Sequence, residues 1–392
     1  MSTLRNNQVR KTAVTGSALL LFAACAAAQD NLMQKLHLQI HGNLAEGTLY
    51  GSGNNYLATY TTDGTGKWDE GSLSVISTVN EHFRLGAQAH TWLLGELGRQ
   101  NLQLDWAYAD YKANSWFGIR GGQVKTPIGL YNDVQGVDAV TPWAFLPEAI
   151  YPTDLRSFTL SHQGGVLYGD VPLGKRGGTI SWSAFGGRKE QHRNEGFYLL
   201  MASIGAALGD MSGPIAGADV RWKTPLDGFA IGGAYEDVRL TAPHSILFGT
   251  PLPLQNNYKV EQLYSQYERG KLTISAEGRL NPVFQGFGPA PLMYAPMRSW
   301  YAMVSYRLTT KLTLGSYYDQ SWFFLANRDR SDPANHFKEV TAGARYDFNR
   351  YLYAKLEGHY IDGHSAGFYE QVNPQGFQKV TRLLAARVGF AF

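Results

Sequence analysis

A single cysteine in 392 residues, Cys25, leaves this chain without a disulfide framework, a Cys/His zinc cluster or a pair of thiols for redox chemistry. Long apolar runs are missing too. Beyond residue 28 no stretch of 18 apolar residues occurs, so no helix of that part of the chain can span a bilayer. Charge is sparse, at 17% of residues against about 25% in ordinary soluble domains. Neither sign dominates: with Arg5, Arg10 and Lys11 set aside, the 35 Lys and Arg fall level with the 32 Asp and Glu. A neutral balance gives no support for nucleic acid as a partner. There is no P-loop and no dinucleotide-binding glycine pattern directly after a strand.

What is abundant is aromatic side chains, 13% of the chain, and a clear export signal. Arg5, Arg10 and Lys11 form a positive n-region, Ala18 to Ala24 an apolar core, and Ala26, Ala27 and Ala28 a small-residue site, so residues 1–28 read as a signal peptide cleaved before Gln29. Cys25 precedes that cut, and the mature chain carries no thiol. The rival reading, a lipoprotein modified at Cys25, meets Phe22 where a Leu is usual.

Beyond the signal, apolar side chains alternate with polar ones, the period-two pattern of strands. Short polar turns separate these runs at Asn80 to His82, Lys112 to Ser115, Pro172 to Gly178, Thr224 to Gly228, Glu268 to Gly270, Thr309 to Lys311 and Asn349 to Arg350. Long Gly-, Pro- and Asn-rich segments lie between them. Seven short turns imply sixteen strands, at 35–45, 71–79, 83–94, 101–111, 116–124, 164–171, 179–187, 214–223, 229–238, 258–267, 271–280, 299–308, 311–321, 337–348, 351–361 and 379–392. The expected fold is all-β: a transmembrane antiparallel up-and-down barrel with short periplasmic turns and long external loops, residues 29–392 forming one domain. Phe83, Phe117, Trp222, Phe229, Tyr267, Tyr306, Phe348 and Tyr351 cluster beside the short turns, as an interfacial girdle would.

The last strand, Thr381 to Phe392, puts Leu384, Ala386, Val388, Phe390 and Phe392 on one face, and Ala385, Arg387, Gly389 and Ala391 on the other. A closing strand that stops on a terminal aromatic, in an exported chain with this strand count, resembles Gram-negative outer-membrane porins of the sixteen-stranded trimeric type. The resemblance implies a homotrimer in outer-membrane lipid, with Phe392 read by the barrel-assembly machinery. By order, it also makes residues 125–163 the third external loop, which in such porins folds inward and narrows the pore. A loop of that length is uncommon unless functional. It carries Asp133, Asp138, Glu148 and Asp154 against Lys125 and Arg156, and it holds Trp143, Phe145, Leu146 and Tyr151, which suit packing on an inner wall.

Strand parity, with the more apolar face toward lipid, assigns Arg84, Arg120, Arg221, Arg279, Arg307, Arg345 and Arg387 to the lumen. Asp105, Asp219, Glu277, Asp347, Lys355, Glu357 and His359 fall on the same side. Arg or Lys on the lipid side at mid-membrane would cost about 2–4 kcal/mol each. The arginines facing an acidic loop would set up a transverse field across the channel. The bland reading is that each charge only hydrates the lumen or pairs across neighbouring strands.

Catalytic signals are weak. Ser157 and His162 are close in sequence, but no carboxylate partner, nucleophile elbow or oxyanion donor is evident. His37 and His41 share a face of the first strand about 13 Å apart, too far to hold one metal. The reading is therefore a non-enzymatic porin, without cofactor or metal, for passive diffusion of small hydrophilic solutes and ions. A channel selective for phosphate or other small anions is the alternative, and an outer-membrane hydrolase or an adhesion barrel is less favoured.

Overall fold

The alternating segments close into a ring of sixteen antiparallel strands, β1 to β16: Leu38–Ser52, Thr65–Thr78, Phe83–Leu94, Gln103–Lys112, Gly118–Lys125, Ser161–Pro172, Thr179–Gln191, Met211–Lys223, Phe229–Ala242, Leu254–Arg269, Leu272–Phe287, Ala290–Arg307, Leu312–Phe323, His336–Asp347, Leu352–Asp362 and Val380–Ala391. The computed structural model describes residues 37–323 and 329–392. The expected signal peptide 1–28, with Cys25 and the cleavage site before Gln29, lies outside the described residues. Each strand pairs with the next, and β1 closes the ring on β16 through a register that includes Leu44 opposite Phe390 and Tyr50 opposite Leu384. Closure removes both sheet edges.

All seven short turns fall where the sequence places them. The strands extend further than expected at the long-loop end. β11 and β12 run to Phe287 and from Ala290, joined across two residues, where a loop over 281–298 was expected. Its prolines argued for a loop, yet Pro282 and Pro296 are register partners. An antiparallel ladder tolerates facing prolines where opposed residues exchange no hydrogen bond.

The outward parity carries an apolar belt that includes Leu85, Ile119, Leu167, Val220, Ile231, Leu263, Ile274, Val304, Leu314, Val340, Leu356 and Val388, all exposed. In a soluble protein so wide an exposed apolar surface would aggregate; beside lipid it is the stable arrangement. Segment 126–160 between β5 and β6 folds inward, and its Trp143, Phe145, Ile150 and Tyr151 are buried among wall residues such as Trp68, Tyr301, Met303 and Tyr317. Phe145 stacks on Trp68 of β2 at 4.5 Å, and Trp143 meets Tyr317 of β13 edge-on at 5.1 Å. A second apolar cluster joins Val124 and Ile128 to Phe197 and Met201 of the helix α1, Gly196–Ser203.

One departure from strict alternation matters for the lumen. Asp105 and Asp110 on β4 differ by five residues, so alternation cannot put both inside. A bulge where Gln88/Ala89 of β3 opposes Trp106/Leu104 inserts Asp105 as an extra residue. Both carboxylates then face inward: Gln88 donates to Asp105 at 3.0 Å, and Arg84 to Asp110 at 2.7 Å.

Candidate functional site

The inward loop is closed at its neck by Asn132, whose amide donates to the carbonyls of Thr126 at 2.6 Å and Thr159 at 2.9 Å. Beyond the neck its main chain has no strand to pair with, and a buried backbone must be satisfied elsewhere. The charged wall supplies the partners. Glu357 of β15 accepts from the amides of Ala144 (2.7 Å) and Phe145 (3.2 Å), Asp319 of β13 from Ala149 (2.8 Å), and Glu277 of β11 from Leu130 (3.2 Å). Wall cations take the carbonyls. Arg221 donates to Gly129 (2.8 Å), Arg279 to Ile150 (3.0 Å), Arg345 to Ala139 and Thr141 (2.6 and 2.8 Å), and Lys355 to Asp138 and Trp143 (2.6 and 2.7 Å).

The acidic residues of the loop are therefore not a free row facing solvent. Asp138 is buried between Lys355 (2.9 Å) and Arg387 of β16 (3.1 Å). Arg387 continues to Glu70 of β2 at 2.9 Å, Glu70 to His90 at 3.3 Å, and on β4 Asp105 holds Arg156 of the loop through two hydrogen bonds, 3.0 and 2.7 Å. Glu148 and Asp154 are buried as well: Thr153 caps Glu148 through its amide (2.8 Å) and hydroxyl, and Tyr369 donates to Asp154. Burial, with the like charge of Asp154 adding to it, pushes Glu148 well above its ordinary pKa. Burial also raises Asp154 to about 6 against the hydrogen bond from Tyr369, and Glu195, which accepts from the Ser157 amide and hydroxyl, to about 7. Asp133 is the exposed member of the acidic set, and its carbonyl, with that of Gln135, accepts from Lys125.

The seven wall arginines thus separate into two groups. Arg221, Arg279, Arg345 and Arg387 bind the loop. Arg84, Arg120 and Arg307 lie toward the short-turn end and make no bond to it among the described residues. Arg84 and Arg120 share Asp110, at 2.7 and 3.5 Å, and the Arg120 guanidinium lies 4.5 Å from the ring centre of Tyr108 and 5.4 Å from that of Tyr168. Arg307 is exposed on the inward parity of β12.

Sequence reading named Glu277, Lys355 and Glu357 as lumen residues without showing that they hold a backbone, and His359 with them, which instead contacts the Thr341, Glu339 and Glu357 side chains. It missed Glu70, because the expected second strand starts at residue 71, whereas β2 starts at Thr65. It also missed Asp319 and Glu339, although both lie on the inward parity of expected strands, where His359 lies 2.9 Å from Glu339. Glu195 carried no sequence signal. Ser157 and His162 are not brought together as a catalytic pair: the Ser157 hydroxyl donates to Glu195 at 2.7 Å, and His162 Nδ1 lies 3.0 Å from the Thr126 hydroxyl. Two cavities beside the loop, about 100 Å³ against Trp68, His90 and Trp92 and about 140 Å³ against Asp105, Arg156 and His192, are below the 300–1,000 Å³ of drug-sized ligand pockets. No group of three or more metal-ligating side chains occurs among the described residues.

No family model matches the sequence, and no curated protein matches it. Solved structures do match in shape. OmpT, an outer membrane protein of Vibrio cholerae, superposes with a TM-score of 0.57 at 13% identity, over 91% of this chain and 97% of that one. An anion-selective porin from Comamonas acidovorans gives 0.58 at 10% identity, over 91% and 99%. OmpF of Salmonella typhi gives 0.58 at 13% identity, over 91% and 97%. At these identities the likeness is one of fold, and with the closed ring and inward loop described above, the chain has the sixteen-stranded barrel fold of the outer-membrane porins.

Proposed function

We propose that this chain is an outer-membrane porin of a Gram-negative cell, a water-filled channel through which small hydrophilic solutes and ions diffuse without energy coupling. The observation that supports this most directly is the contrast between the two faces of one closed sheet. Outside is an apolar belt; inside is a wall dense in charge, with a segment of the chain folded across it. An adhesion or structural barrel would have little use for a charged interior. In this reading residues 1–28 direct export and are removed, Phe392 presents the closing strand to the barrel-assembly machinery, and the product is a homotrimer. One neighbouring fold, OmpT of Vibrio cholerae, is described in a trimer form.

Selectivity for small anions is the second reading, and a specific observation favours it. Away from the loop contacts, Arg84 and Arg120 share the single carboxylate of Asp110, and Arg307 adds another positive charge on the inward parity. The loop-side charges are largely neutralised by one another. Incorporation into planar bilayers under a salt gradient tests both readings: discrete conductance steps are expected, with a reversal potential on the anion side. Absence of conductance would overturn the channel, and a cation-side potential would overturn only the anion preference.

A further inference from the structure

Two segments reach across the long-loop end of the barrel from opposite sides. Helix α1 belongs to the connection between β7 and β8, and residues 363–379 form the connection between β15 and β16. In a closed ring of sixteen strands these roots are eight strands apart, half the circumference. They meet nonetheless. The Gln371 side chain donates to the Leu199 carbonyl of α1 at 2.8 Å, and Tyr369 lies against Gly196 at the start of the helix, where a Cβ would collide with the Tyr369 hydroxyl. Contact between segments so rooted requires that together they span the mouth.

The junction is held on several sides. Tyr369 is buried and donates to Asp154, so the crossing segment rests on the inward loop. Ser157 of that loop donates in turn to Glu195, the residue before α1, at 2.7 Å. On one flank the Asn55 amide donates to the Asn373 side chain at 2.8 Å, the Asn55 side chain to the Val372 carbonyl at 2.7 Å, and the Leu57 amide to the Gly367 carbonyl at 2.8 Å. Phe368 packs beside them on Tyr56 at 4.9 Å. On the other flank the His364 amide donates to the Pro333 carbonyl at 2.8 Å. A connection tied at so many points lacks the chain freedom of a mobile flap.

We propose that α1 and residues 363–379 form a strut across the long-loop mouth, and that this strut, held by Tyr369 and Gln371, sets the largest solute admitted from that side. The inference rests on the reading of the chain as a channel and adds a size filter ahead of the inward loop. A bar across a round opening leaves only passages narrower than the opening itself, and pore width limits solute size there. Charge selection falls to other residues. Arg84, Arg120 and Arg307 make no bond to either segment among the described residues.

The test is polymer exclusion in planar bilayers, with poly(ethylene glycol)s of graded mass added to one chamber at a time and entry read as a fall in single-channel conductance. Two changes reach the junction independently. Tyr369→Phe with Gln371→Ala removes both side-chain bonds from the 363–379 side, and Gly196→Ala pushes the Tyr369 hydroxyl aside from the helix side. Each should raise the largest polymer admitted from the chamber facing the long loops, and leave both the limit from the opposite chamber and the reversal potential where they were. Amide hydrogen exchange over residues 196–203 and 366–376 should quicken in the same variants. A limit unmoved in folded, conducting channels of both variants, or one that rises equally from both chambers, would overturn the strut. A parent protein without conductance would instead count against the channel reading.

Discussion

Asp138 in the inward loop and Arg387 on the last strand lie 3.1 Å apart, both buried, with Lys355 completing the contact at 2.9 Å from the same carboxylate. One acid of the loop thereby pairs with two wall cations, one of which is shared with Glu70. Removing it by Asp138→Asn would leave Arg387 with Glu70 alone and Lys355 with backbone carbonyls only. Breaking a buried pair on one side costs about 3–5 kcal/mol, enough to release the middle of the loop without opening the barrel. The expected result is faster hydrogen exchange over residues 136–145 and a larger single-channel conductance. Unchanged exchange and conductance would show that the aromatic contacts of Trp143 and Phe145 hold the loop by themselves.

The division among the arginines predicts two phenotypes where a uniform ring would give one. Arg84→Glu and Arg307→Glu should move ion selectivity toward cations with little change in conductance. Arg345→Glu should instead disturb the loop, because Arg345 holds the carbonyls of Ala139 and Thr141. Lys175→Glu, exposed in a short turn, should do little, since charges beyond a Debye length of about 8 Å are screened at physiological salt. Reversal potentials of the four variants check this. Identical shifts from Arg84 and Arg345 would contradict the division.

The buried carboxylates give the loop a pH dependence whose sign follows from proton uptake. Asp154 and Glu195 hold protons to about 6 and about 7 when folded and release them at ordinary carboxylate values when unfolded. Between those limits the folded form binds more protons, so stability declines as pH rises through that window and is fully present below it. Amide exchange over residues 148–160 should accelerate from pH 5 to pH 8 beyond the intrinsic chemical rate. Glu195→Gln should flatten much of that slope. A parent protein with no excess acceleration would contradict the burial argument.

Phe392 completes the ring closure: its amide donates to the Gly42 carbonyl at 3.0 Å, and the Gly42 amide to its carbonyl at 3.1 Å. A side chain at Gly42 would collide with the Phe392 ring, a Cβ coming within 2.4 Å of it. Deleting Phe392, or introducing Gly42→Leu, should lower the amount of folded barrel reaching the membrane, measured as heat-modifiable protein in the membrane fraction. Channels that do assemble should conduct normally. Equal yields on overexpression would sink the prediction.

Alternation with a period of two, seven short turns and a closing aromatic strand determined from sequence alone that this chain is a sixteen-stranded barrel with one long loop, whose inward course followed only from the resemblance to porins. These are local signals, set by which side chains must face lipid, and Leu85, Ile274 and Val388 carry them without reference to any distant partner. Parity likewise put Arg279, Arg345 and Arg387 inside. What they do inside was decided only by the tertiary structure. The partners of a buried loop backbone come from strands 92 to 217 residues away, as with Gly129 and Arg221 or Asp138 and Lys355, and no spacing in the chain encodes which carbonyl meets which wall cation. A single bulge at Asp105 likewise shifted the inward set of β4. Sequence parity assigned a face to most strand residues; three-dimensional packing decided which inward side chains hold the loop, through contacts and a bulge that no local pattern encodes.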